Sequence, residues 1–103
     1  MSRMYDVIEE KRAFTSRNRT RLEILASILD VARHGAIKTH IMYKANLSHR
    51  QLEKYLTFLI GKGLLADATD PDTDGHWYEA TENGLEFLKD FSKMESHLTK
   101  KTA

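Results

Sequence analysis

The amino-acid sequence predicts an α+β fold, mainly α, in one domain. Two segments begin with reciprocal capping boxes and continue with apolar residues at helical spacing. A pair of short β-prone runs flanks a Pro- and Gly-containing turn, and the last long segment regains the helical period. With 103 residues, 41% hydrophobic and 9% aromatic, the chain can enclose one core and not two.

The first helix is predicted over residues 20–34. Thr20 and Glu23 make the T-x-x-E box, Leu22, Leu25, Ile28 or Leu29, and Ala32 recur at helical spacing, and Gly35 suits a left-handed stop. Ala36 and Ile37 form a short extended link, and a second helix over about 39–45 buries Ile41, Met42 and Ala45. Ser48 and Gln51 open the third helix, over 48–62, with Leu52, Tyr55, Leu56 and Leu59 as its apolar stripe and Gly63 as its stop. "LLADATD" and "HWYEAT" read as two strands joined by "PDTDG", and a last helix runs from 82 to about 98, slightly weakened by Gly84 in its first turn. The order is helix, short strand, helix, helix, hairpin, helix. That is a winged helix-turn-helix, whose second motif helix enters the DNA major groove. The expected division is an N-terminal arm over 1–18, the winged domain over 19–81, a C-terminal helix over 82–98 and a frayed tail over 99–103.

The net charge of +1 conceals two opposed halves. Residues 17–62 carry nine Lys/Arg against Glu23, Asp30 and Glu53, a net of +6, whereas residues 63–90 carry Lys89 against eight acids, a net of −7. The basic half coincides with the helix-turn-helix, the distribution expected of a nucleic-acid footprint. No cysteine is present, so disulfides, thiolate zinc sites and a Cys nucleophile are excluded, which suits a reducing cytoplasm. No apolar run approaches the ~20 residues of a membrane span, and the N-terminus has no secretory h-region. The histidines 34, 40, 49, 76 and 97 contain no i, i+4 pair, and there is no nucleophile elbow or Gly-rich phosphate loop. Neither an enzyme nor a cofactor or metal is expected.

"DPDTDG", residues 70–75, could open a calcium loop, since Asp70, Asp72, Asp74 and Gly75 follow the D-x-D-x-D-G pattern. The twelfth position, which should be a bidentate Glu, is Thr81, and the flanks are strand-like. The segment is therefore expected to be a hairpin wing. Its acidity repels phosphates at short range, so the wing is not expected to grip a minor groove.

The run "KTHIMYKANLS", followed by "RQLEKYL" and later "YEATENGLEFL", resembles the archaeal winged-helix family that includes the small dimeric "10a" chromatin proteins; the similarity covers residues 19–92. The resemblance implies a nucleoid-associated, double-stranded-DNA-binding chromatin protein or transcriptional regulator. It implies that the helix beginning at Ser48 is the recognition helix, and that the C-terminal helix pairs two protomers in an antiparallel coiled coil. An acidic wing and a short C-terminal helix depart from that pattern.

Arg50, Lys54 and Thr57 share the solvent face of the third helix, behind capped N–H groups that favour a phosphate, and Arg can also read guanine. Ser48 belongs to that N-terminus, and His49 is expected nearer the buried side. Lys38, Thr39 and Lys44 would position the DNA backbone. Arg17, Arg19 and Arg21 form a basic arm that can follow a phosphate backbone or enter a minor groove, or simply be solvated. Tyr43, Tyr55, Phe58, Trp77 and Tyr78 are expected in the core rather than around a small molecule. Phe87, Phe91, Met94 and Leu98, spaced four, three and four, make the seam of a homodimer, while Leu85 and Leu88 close the core. A charge at Phe91 is expected to split that dimer and spare the fold. The alternative is a winged-helix protein-interaction adaptor whose acidic wing faces a basic partner.

Overall fold

The structure, a computed structural model, describes residues 19–69 and 76–99. Its elements follow the predicted order: α1 (Arg21–Val31), β1 (Ala36–Ile37), α2 (Lys38–Lys44), α3 (His49–Gly61), β2 (Leu65–Thr69), β3 (His76–Ala80) and α4 (Glu82–Thr99). The three strands form one antiparallel sheet in the order β1-β3-β2. The architecture is a mainly helical winged helix-turn-helix. None of the described helices is long and apolar enough to cross a membrane.

Both capping boxes form. Thr20 Oγ1 accepts from the Glu23 N–H at 3.1 Å and Glu23 Oε1 accepts from the Thr20 N–H at 2.9 Å. Ser48 and Gln51 repeat the exchange at 3.2 and 3.0 Å, so each helix start satisfies two otherwise free donors. α1 ends three residues before its predicted limit, as residues 32–34 close into turns. Gly35 takes φ +95°, and its missing Cβ makes room for the Trp77 indole, whose Cζ2 would lie 2.2 Å from it. Between α2 and α3 the left-handed residue is Asn46, at φ 55°. The Leu47 N–H donates to the Met42 carbonyl and the Asn46 N–H to the Tyr43 carbonyl, the double bond of a Schellman stop.

Ile24, Leu25, Ile28 and Leu29 of α1, Ile41 of α2, and Leu52, Leu56 and Leu59 of α3 meet Leu65, Tyr78 and Leu88 in the core. Each such side chain contributes about 1.5–3 kcal/mol relative to exposure. The aromatic expectation is corrected. Only Tyr78 is buried and Tyr55 packs at the core's edge, while Tyr43, Phe58 and Trp77 are exposed, Tyr43 by 82%. Leu22 and Leu85, expected inside, are also largely exposed, because each sits at the margin of its helix's buried stripe. Burial first, and the Asp67 carboxylate second, raise the Tyr78 phenol above the usual tyrosine value. The folded state therefore holds this proton more tightly than the unfolded chain. Its stabilising contribution is complete below the unfolded tyrosine value of ~10 and is lost as pH rises through the folded one. Denaturant unfolding in steps above pH 9 should show this loss in the parent and a smaller one in Tyr78→Phe.

Gly84 reverses the reading made from propensity. A Cβ there would stand 2.1 Å from the Leu64 carbonyl oxygen. The first turn of α4 is pinned at that point, with the Thr81 N–H on the Leu64 carbonyl at 3.0 Å and Thr81 Oγ1 donating to the Gly63 carbonyl at 2.7 Å. In an open helix Gly→Ala is stabilising by ~1 kcal/mol. Here the obstacle is backbone, and Gly84→Ala should cost about 1–3 kcal/mol through forced separation of α4 from the link between α3 and β2. Thermal unfolding with a Tm lowered by on the order of 5–15 °C is the expected result.

Candidate nucleic-acid interface

The candidate site is the outward face of α3 with its surroundings. Leu52, Leu56 and Leu59 anchor the helix from below, which leaves His49, Arg50, Lys54, Thr57 and Phe58 exposed. Ser48 caps the N-terminus, so its hydroxyl accepts within the helix while the remaining first-turn N–H groups face outward. Arg50 lies in that first turn, where the helix dipole adds to the attraction for an anion.

Glu53 is the one carboxylate on α3, and its charge is answered. Lys38 Nζ from the start of α2 forms an ion pair with Glu53 Oε2, and His49 Nε2 stands 3.6 Å from the same oxygen. His49 is thus solvent-facing, with 70% of its side chain exposed, and not nearer the core as predicted. The pair also changes the expectation for Lys38, which locks α2 to α3 instead of standing free for a DNA phosphate. Thr57 donates its hydroxyl proton to the Glu53 carbonyl at 2.9 Å. What it can offer a ligand is a methyl group and acceptor lone pairs, not a donor.

The basic arm divides. Arg17 lies outside the described residues. Arg19 Nη2 donates to the Asn46 carbonyl at 3.1 Å, so it braces the turn between α2 and α3. Arg21 joins Lys54, Tyr55 and Phe58 around a hollow of about 80 Å³, and Lys62 stands 5.7 Å over the Phe58 ring. The start of α1 therefore adds a cation beside the α3 face, a proximity between residues 33 apart that helical periodicity could not show. On α2, Thr39 and Lys44 are exposed as expected, and so is Tyr43, whose hydroxyl is a further candidate donor to a phosphate.

The wing strands β2 and β3 pair from Leu65↔Ala80 to Thr69↔His76. Asp70, Asp72 and Asp74 lie outside the described residues, but the segments on both sides are paired antiparallel strands, not the two helices that flank a calcium-hand loop. Among the described residues no group of three or more His, Asp or Glu side chains could hold a metal ion. Asp67 remains on the wing, with His76 Nδ1 3.8 Å from its carboxylate.

On α4, the four residues expected to form a seam are not alike. Phe87 and Phe91 are half-buried, pack against the core and stack with ring centroids 6.5 Å apart. Met94 and Leu98 are 48% and 81% exposed. The phenylalanines serve the protomer's own fold at least in part, so a charge at Phe91 would not spare it, contrary to the expectation.

Comparison with known proteins bears on the fold. In solved structures the chain is similar to Sso10a-2, a DNA-binding protein from Sulfolobus solfataricus, at 29% identity and TM-score 0.67 over 78% of this chain and 85% of that one. It shares its fold with MepR of S. aureus, solved as a DNA complex, at 14% identity and TM-score 0.65 over 95% and 84% of the two chains. In sequence, 48 residues, 46% of the chain, are 44% identical to an uncharacterized protein of Methanocaldococcus jannaschii, and they span half of that relative's length. The model of the winged helix-turn-helix family matches residues 18–99. The chain belongs to the winged helix-turn-helix family.

Proposed function

We propose that the protein binds double-stranded DNA as a homodimer, as a transcriptional regulator or a nucleoid-associated chromatin protein. The winged domain, residues 19–81, places α3 in the major groove, and the C-terminal helix, residues 82–98, joins two protomers. The carrying observation is the face of α3: Arg50 and Lys54 project from it without a carboxylate partner among the described residues, while its own acid is neutralised by Lys38. Arg21 and Lys44 flank that face, and the DNA-binding description of Sso10a-2 supports the same reading. The acidic wing stays off the phosphates, and specificity rests with the helix.

On and beside the α3 face, Arg21, Lys44, Arg50 and Lys54 have no carboxylate partner among the described residues, which makes eight such cations in a dimer. Neutralising eight phosphates gives a plot of log K against log[salt] with a slope of about −7. Fluorescence anisotropy with a random 20–30 bp duplex, between 50 and 200 mM salt, measures it. A slope near zero, or no binding at 50 mM, would instead favour the adaptor role, in which the acidic wing, with Asp67 and Glu79 exposed on its strands, meets a basic protein.

A further inference from the structure

The face of α4 opposite its exposed apolar stripe borders a groove of about 780 Å³ together with Arg33 of the turn that follows α1. Leu85 and Leu88 provide apolar surface in it, Arg33, Lys89, Lys93 and His97 stand around them, and no carboxylate lines it. Lys89 and Lys93 are four residues apart, the spacing at which like charges on a helix repel, and His97 follows one turn later. Among the described residues neither lysine has a carboxylate within ion-pair distance. Arg33 is held by Asp30 through Nε alone, at 2.9 Å, which leaves the guanidinium's terminal N–H groups available for a further acceptor. Leu85, 39% exposed, is a large aliphatic side chain that the fold leaves uncovered.

We propose that this groove binds a small organic anion with an apolar body, of the class of aromatic or short aliphatic monocarboxylates. The carboxylate sits among Lys89, Lys93 and Arg33, and the body covers Leu85 and Leu88. Two unpaired like charges one turn apart are relieved by an anion, and a bare phosphate would gain nothing from the leucines. At ~100° per residue, Lys89 lies about half a turn from Met94 and Leu98, so pairing of α4 with a second copy leaves the groove open. The proposal is independent of DNA binding and stands or falls separately.

Two-dimensional amide NMR of the ¹⁵N-labelled protein, titrated with benzoate, tests it, with benzyl alcohol and inorganic phosphate as probes of each half alone. Saturable shifts at Leu85, Leu88 and Ser92 with benzoate are expected, and at least ~10-fold weaker saturation in Lys89→Gln/Lys93→Gln, whose replaced side chains are solvent-facing. Leu85→Gln, which keeps every charge, should weaken benzoate similarly. The proposal is overturned by an absence of saturable benzoate shifts, by equal response of the lysine variant, or by equal saturation with phosphate or benzyl alcohol.

Discussion

Replacing Arg50 and Lys54 together by alanine is expected to lower duplex affinity by at least ~100-fold at 50 mM salt, with the circular dichroism and Tm of the parent. Both side chains are exposed and neither belongs to the core cluster, so their loss leaves Leu52, Leu56 and Leu59 seated and the Ser48 cap in place. A side chain that reads a base is worth ~1–3 kcal/mol, and one factor of ten in affinity is ~1.4 kcal/mol. Two such residues in each of two protomers exceed the hundredfold threshold even at the lower figure. The salt dependence then separates their roles. If both residues hold phosphates, four of eight contacts vanish from the dimer and the slope falls from about −7 to about −4; if they read bases, the slope stays and discrimination between duplexes is lost. Unchanged affinity would move the DNA to another face of the molecule.

The elements were legible because their signals are local. A capping box spans four residues, a helical stripe eight, and a wing strand five, so Thr20, Ser48 and the β-prone runs on either side of 70–75 announce themselves without tertiary information. Arg50 and Lys54 were legible for the same reason: their exposure follows from the phase of Leu52, Leu56 and Leu59. What escaped depends on residues far apart in the chain. Lys38 read as a free cation because its partner Glu53 is on the next helix. Arg19 read as an arm because the Asn46 carbonyl that it holds is 27 residues away. Gly84 read as a flaw in a helix because nothing in α4 betrays the Leu64 carbonyl beneath it. Residue type alone favours a buried Tyr43, but its position two after Ile41 lies off the buried stripe of α2, and that phase outweighs an aromatic's preference for the core.

Introducing aspartate at both Met94 and Leu98 is expected to convert a dimer into a folded monomer. These two side chains are the exposed half of the α4 apolar stripe and are absent from the core cluster, so the change tests association without the ambiguity that Phe91 carries. In the paired state four such side chains, two from each protomer, leave water, at ~1.5–3 kcal/mol each. Phe87 and Phe91 add the parts of their rings that the protomer leaves uncovered, and the total must exceed the cost of association. Four carboxylates in the same seam would have to be buried unpaired or repel one another, and either cost is several kcal/mol. Sedimentation at tens of micromolar should show the parent as a dimer and the variant as a monomer, with α4 still helical by circular dichroism. Each monomer then carries half the cations, so the DNA salt slope should fall to about −4 and affinity should drop accordingly. A parent that sediments as a monomer would exclude the seam. A variant that stays dimeric would place the interface elsewhere and leave the α3 face as the sole basis of the DNA reading.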